Sequence, residues 1–205
     1  MKSYHHGNLK EELTKYACTI CERDGYTKLS IRSLAKESNV SQTAPYRHFK
    51  TKEEVYAAVA VEGFNKLYKN VFVESDKLTL KDFIQSSKNY IDFGLQNANT
   101  YDLMFGTAVG DFSEHPELVE TANKTFESLV LNLSSFLKEK DEDILAGKSI
   151  TVWALLHGMV GILRKQSITE GDVYAEEFGP MSTTRRISSN LPAYLERVLT
   201  GIIES

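Results

Sequence analysis

The stretch Ser30–Tyr56 constrains the fold of this chain more than any other, because its residues fit two short helices joined by one tight turn. Ser30 is placed to cap the first helix, whose apolar residues Ile31, Leu34 and Ala35 share a face. Asn39 falls where the chain must turn, and asparagine tolerates the left-handed backbone region better than most residues. Ser41 is placed to cap the second helix. That helix is expected to bury Ala44 and Phe49 and to leave Gln42, Thr43, Tyr46, Arg47 and His48 on a polar side. Pro45 disturbs the pattern. It lies about four residues into the second helix, where it removes the first intrahelical bond. Either the first turn is irregular or the cap lies later. Two short helices with hydrogen-bonding side chains at the start of the second form the arrangement by which a recognition helix enters the major groove of DNA.

The rest of the chain reads as helix as well. It has only four prolines, and no segment alternates apolar and polar residues long enough for a sheet. A first helix is predicted from about Asn8 to Asp24, stopped by Gly25. Thr51 with Glu54 makes a capping box for a long helix running to about Val71, which would link two domains, 1–71 and 72–205. In the second domain Thr79 caps a helix to about Gln96, with Phe83, Ile84, Ser87, Tyr90, Ile91 and Leu95 inward. A short helix is expected around Tyr101–Phe105, ended by Gly106. Pro116 opens another that runs to about Lys140. A further helix spans about Asp143 to Ser167, Thr169–Phe178 is ambiguous, and Asn190 with Pro192 marks the start of a last helix.

Charge sharpens the division. The formal net charge is −4, which is unexpected for a protein that meets phosphates. Residues 1–70 nevertheless hold twelve Lys and Arg against eight Asp and Glu, and the remainder twelve against twenty. The basic part can approach a duplex while the acidic part stays away. Gln42 suits a bidentate contact to an adenine edge, and Thr43 a thymine methyl or a phosphate. Tyr46, His48 and Lys52 suit phosphates, with Ser30 and Arg32 on the flank. Tyr4-His5-His6-Gly7 is either an arm along a phosphate or a frayed terminus.

Several chemistries find no support. Cys18 and Cys21 have a Cys-x-x-Cys spacing, but Leu9, Leu13, Ala17, Ile20 and Cys21 share a helical face, so core packing is expected. No second ligand pair completes a metal site, and no cofactor is implied. No nucleophile elbow, phosphate-binding glycine loop or Ser-His-Asp order is present, so no enzymatic activity is expected. The N-terminus is polar, and the longest apolar run, Val152–Leu163, is short for a membrane span of ~20 residues, so a cytoplasmic location is expected.

Gly25-Tyr26, Ser30-Ile31-Arg32, Leu34-Ala35, Val40-Ser41, Tyr46-Arg47-His48-Phe49 and Lys52-Glu53, in that order and spacing, resemble the N-terminal domain of the tetracycline-repressor (TetR) family over roughly residues 4–70. Tyr4-His5-His6-Gly7 and Trp153-Ala154-Leu155-Leu156-His157-Gly158 further resemble a subgroup whose C-terminal domain carries Trp-x-x-x-His-Gly. The resemblance implies an all-α fold: a three-helix DNA-binding domain joined by a long helix to a helical domain for ligand binding and dimerisation. It implies Ser30, Arg32, Ser41, Gln42, Thr43, Tyr46, His48 and Lys52 at double-stranded operator DNA. It implies a homodimer through two helices of each chain, here Ala154, Gly158 and Gly161 on one and Leu191, Leu195, Val198 and Ile202 on the other, although both stripes also suit a monomer's own core. It implies a small apolar or amphipathic effector among Tyr90, Met104, Phe105, Phe126, Trp153 and His157, each of which is equally at home as core packing. The function implied is a one-component transcriptional repressor. A DNA-bound structural or division-control protein on the same scaffold is the alternative.

Overall fold

A computed structural model describes residues 9–73, 78–137, 141–168 and 179–204, and among them only helices and turns form. The helices are α1 (Leu9–Asp24), α2 (Ile31–Glu37), α3 (Lys52–Val71), α4 (Leu80–Gln96), α5 (Ala98–Phe105), α6 (Pro116–Leu137), α7 (Glu142–Ile168), α8 (Pro180–Ser188) and α9 (Leu191–Glu204). Packing divides them into two compact units. One holds the chain up to Lys66 together with Asn97–Thr125; the other holds Leu67–Gln96 and the chain from Phe126. Tyr4–Gly7, Asn8 as a cap, and Thr169–Phe178 lie outside the described residues.

In the first unit α1 buries Leu13, Ala17, Ile20 and Cys21, four of the five residues expected on its inner face; Leu9 is half-buried. Gly25, at φ +84°, takes the backbone out of the helix into a conformation that L side chains avoid. Ser30 caps α2 through a reciprocal pair: the Ser33 N–H donates to Ser30 Oγ at 3.0 Å, and the Ser30 N–H donates to Ser33 Oγ at 2.8 Å. The same helix ends in a Schellman motif. Asn39 sits at φ +53°, its N–H donates to the Lys36 carbonyl, and the Val40 N–H donates to the Ala35 carbonyl. The left-handed turn expected at Asn39 is present.

The second helix of the motif is not the regular helix that the Ser41 cap predicted. Residues 41–44 form turns, and only Pro45–Arg47 winds, as a 3-10 turn. Pro45 is the cause. Lacking an N–H, it cannot bond the Ser41 carbonyl, which accepts instead from the Ala44 N–H at 3.0 Å. Pro45 itself is buried and Ala44 only half-buried, so the inward residue is displaced by one.

The start of α3 departs from the predicted box by one residue. The Glu54 N–H donates to Thr51 Oγ1 at 3.2 Å, but the Glu54 carboxylate accepts from the Lys50 N–H at 2.7 Å rather than from Thr51. Further along α3, Gly63 lets α5 approach closely: a Cβ there would lie 2.5 Å from Met104 Sδ and 2.8 Å from Thr100 Cγ2. α5 is also tied to α1. Thr100 Oγ1 donates to the Glu22 carboxylate at 2.7 Å, and Asn99 Nδ2 donates to the Glu22 carbonyl at 2.9 Å.

In the second unit α4 packs on α7 and α9, and α7 on α8 and α9. Thr79 and Asp82 cap α4, the Thr79 N–H donating to the Asp82 carboxylate at 3.0 Å and the Asp82 N–H to Thr79 Oγ1 at 3.3 Å. The last carbonyls of α3 are satisfied from α4, by Ser86 Oγ on Val71 at 2.6 Å and Asn89 Nδ2 on Asn70 at 2.9 Å. Phe83, Ser87, Tyr90 and Ile91 point inward as expected. Leu95 does not, and Phe93 takes the inner position in its place. The Lys148 ammonium donates to the Ile202 and Ile203 carbonyls at 2.8 and 3.1 Å, placing a cation at the negative end of α9. α8 was not foreseen, although Gly179-Pro180 supplies a start signal in the sequence. By length and composition alone α7 is apolar enough to cross a membrane, although its inner face is spent on α4, α8 and α9.

Candidate nucleic-acid interface

The turn segment between α2 and α3 carries its polar side chains outward on a fixed apolar base. Phe49 and Pro45 are buried beneath it, with Leu34 and Ala35 of α2. Ser41, Gln42, Thr43 and Arg47 are exposed, as is Arg32 on α2. Tyr46 is 56% exposed. Ser41 Oγ and Thr43 Oγ1 lie 3.2 Å apart and share a hydrogen bond, so Ser41 organises the turn rather than capping a helix. Ser30 is half-buried and held by Ser33, which commits its hydroxyl to the α2 cap. His48 is also half-buried. It lines an open groove of about 250 Å³ with Lys10, Glu54, His115 and Glu117.

Lys52 opens α3, where the positive helix end favours an anion, with Glu53 and Glu54 in the same turn and the Glu54 N–H taken by Thr51 Oγ1. Its ammonium lies 4.9 Å above the centre of the Tyr56 ring, one turn on. Tyr56 is itself fixed. Its hydroxyl donates to the Tyr26 carbonyl at 2.7 Å, and its ring meets Tyr26 edge-on at 5.8 Å. Tyr26 belongs to the Gly25-Tyr26 element of the motif, whereas Tyr56 has no role assigned from the sequence, although the i, i+4 spacing of Lys52 and Tyr56 is a legible signal.

The residues expected to line an effector cavity are divided between the two units. Tyr90, Phe126, Trp153 and His157 come together in the second. Trp153 Nε1 donates to Tyr90 Oη at 3.2 Å, Phe126 meets Trp153 edge-on at 6.0 Å, and the His157 ring lies 5.7 Å from Trp153. Burial holds the His157 imidazole below its usual pKa, so it is neutral near pH 7. Met104 and Phe105 belong to the first unit, where Met104 packs on Gly63 and Phe105 against Phe64.

The two expected dimer stripes also differ. Ala154, Gly158 and Gly161 are exposed on α7, and a Cβ built on either glycine meets no described atom within 4 Å beyond its chain neighbours and its own helix backbone. Gly147, Ile150 (49% exposed) and Ile162 (46% exposed) extend that face. Leu191 and Leu195 of α9 point the other way: 9% and 0% exposed, they belong to the core that α9 forms with α4 and α7. Val198 and Ile202 are half-buried.

Residues 13–59 match the family model for bacterial regulatory proteins of the tetR family, and residues 83–178 match the tetracyclin repressor-like C-terminal domain. The chain belongs to the TetR family. It is thus a helix-turn-helix, DNA-binding transcriptional regulator. Relatives lie at low identity. The nucleoid occlusion factor SlmA of Aliivibrio fischeri (strain MJ11) is 26% identical over 156 residues, covering 70% of this chain and 79% of SlmA. Among solved structures, BioQ with its double-stranded DNA operator superposes with a TM-score of 0.56 at 19% identity, covering 97% of this chain and 99% of BioQ. A TetR variant from Acinetobacter baumannii AYE, in complex with minocycline, superposes at 0.58 and 16%, covering 98% of this chain and 96% of that one.

Of the paired cysteines in α1 of this TetR-family chain, Cys21 is buried in the packed face and Cys18 is half-buried. Both are free thiols; burial pushes Cys18 up to about 12 and Cys21 up to about 11, so neither is a reactive thiolate at neutral pH. Among the described residues no group of three His, Cys, Asp or Glu side chains has the geometry to hold a metal ion.

Proposed function

We propose that the chain is a cytoplasmic, homodimeric repressor that binds a pseudo-palindromic operator and is released by a small apolar or amphipathic effector. Residues 1–71 serve DNA and residues 72–205 serve assembly and sensing. The observation that carries this reading is the exposed row Gln42, Thr43, Tyr46 and Arg47, set beside Lys52 at the start of α3. Gln42 and Thr43 read base edges; Tyr46, Lys52 and the flanking Arg32 meet phosphates. His48 reaches the backbone from the edge of its groove, and Ser30 and Ser41 act by shaping the surface.

The exposed α7 face supports the dimer. Ala154, Gly158 and Gly161 allow a second helix to approach closely, and Ile150 and Ile162 offer apolar area on either side. A two-fold pair of recognition segments then spans two half-sites about one helical turn apart. The Tyr90–Phe126–Trp153–His157 cluster, apolar with few polar groups, has the chemistry of an effector site, and it includes Trp153 and His157 of the Trp-x-x-x-His-Gly stretch. Minocycline in one structural relative and operator DNA in another support the same division of labour. An effector works only through different affinities for two states of the protein.

Selection of bound duplexes from a random pool, followed by footprinting, tests the reading. The expected product is an inverted repeat protected on one face of the duplex; a product without two-fold symmetry sinks it. The similarity to SlmA favours a second reading, a nucleoid-associated factor without an effector. Occupancy at many scattered chromosomal sites would mark that reading, and a few promoter sites the first.

A further inference from the structure

We infer that Tyr56 is a positioning residue for DNA binding, holding the Lys52 ammonium where the phosphate arrives. The inference rests on the phosphate reading of Lys52 proposed above. A lysine in the first turn of a helix stands at the positive end of the helix dipole, which disfavours it. A long flexible side chain also loses rotamer freedom when a phosphate fixes it. The Tyr56 ring addresses both. Its negative π face lies 4.9 Å beneath the ammonium, which restrains the side chain over the helix start and leaves its outer donors free.

The ring can do this because it cannot move. Tyr56 is buried, 4% exposed, and anchored at its far end by the 2.7 Å bond from its hydroxyl to the Tyr26 carbonyl. Tyr26 adds an edge-on ring contact at 5.8 Å. Gly25, at φ +84°, sets the turn that presents Tyr26. A chain of contacts thus runs from the end of α1 to the cation at the start of α3.

A double-mutant cycle on operator DNA tests this, with Tyr56→Leu, Lys52→Ala and their combination. Tyr56→Leu should weaken binding roughly two- to fivefold and leave the salt slope unchanged, since Lys52 still reaches its phosphate. Lys52→Ala should lower the slope by about one unit, and adding Tyr56→Leu should then cost nothing more. Tyr56→Phe, which keeps the ring but loses its anchor at the Tyr26 carbonyl, should lose less affinity than Tyr56→Leu. Additive losses would show that Tyr56 acts independently of Lys52 and would overturn the inference. A silent Lys52→Ala would instead overturn the phosphate reading beneath it. Should Tyr56→Leu unfold, the Lys52 Cε protons of the wild-type protein decide: an upfield ring-current shift is expected, and its absence overturns the inference.

Discussion

Gln42 and His157 show how far a single side chain's role depends on what lies beneath it. Gln42 is exposed on a segment whose underside is closed by Phe49 and Pro45, so its position relative to DNA is set by the fold. Replacing it with alanine should cost roughly 1–3 kcal/mol at one base pair per half-site and relax sequence preference there while leaving nonspecific binding intact. Binding curves on single-base operator variants would show this; an unchanged preference would mean that Gln42 does not read a base. His157 makes a prediction about pH. Its folded pKa is lowered by burial, so the unfolded chain binds the proton more readily. The neutral ring is compatible with the fold above the ordinary histidine range, and stability is lost as pH falls through that range toward the lowered value. Melting temperatures of His157→Gln should therefore fall less than those of the wild type between pH 7.5 and pH 5. Equal slopes would remove His157 as a contributor.

Among the elements, α3 and α5 depend on one missing side chain. Gly63→Ala gains helix propensity of about 1 kcal/mol, but its Cβ would sit 2.5 Å from Met104 Sδ and 2.8 Å from Thr100 Cγ2. Met104 is 1% exposed and has little room to retreat. The net effect should be destabilising, with an overpacking cost of about 1–3 kcal/mol, read as a lower denaturant midpoint. A stabilised Gly63→Ala would mean that α5 shifts freely. The recognition segment is the opposite case, an element defined by what it lacks. Its TetR-family motif was legible residue by residue, yet Pro45 converts the expected helix into turns, and only the hydrogen bond from Ala44 to Ser41 shows how the chain absorbs the missing donor.

At the scale of the whole molecule, α7 presents an exposed face of Ala154, Gly158, Gly161, Ile150 and Ile162. A Cβ on Gly158 meets no described atom within 4 Å beyond its chain neighbours and its own helix backbone in the single chain. Gly158→Leu should therefore leave the protomer folded, with its circular dichroism unchanged, while weakening a close-packed dimer by about 1–3 kcal/mol. Sedimentation equilibrium of wild type and variant would decide this, and a monomeric wild type at micromolar concentration would end the dimer proposal. Operator affinity should fall with dimer affinity, because one recognition segment reads only half a site.

Local signals were enough to determine the all-helical class, the Ser30 cap, the left-handed Asn39 and the starts of α3, α4 and α6, because each depends on side chains within four residues of one another. The exposed row Gln42, Thr43 and Tyr46 was legible for the same reason: the apolar residues that close its underside are its neighbours in sequence. Tertiary structure alone decided which of several equivalent apolar faces is buried. Periodicity placed Leu191, Leu195, Val198 and Ile202 on one stripe without saying whether α4 and α7 or a second chain would cover it, and the contacts put Leu191 and Leu195 inside. Nor could spacing show that Met104 would pack on Gly63, or that the Tyr56 ring beneath the Lys52 ammonium would be pinned by Tyr26. The Met104–Gly63 and Tyr56–Tyr26 contacts join residues far apart in the chain, and their energies exist only once the chain has closed on itself.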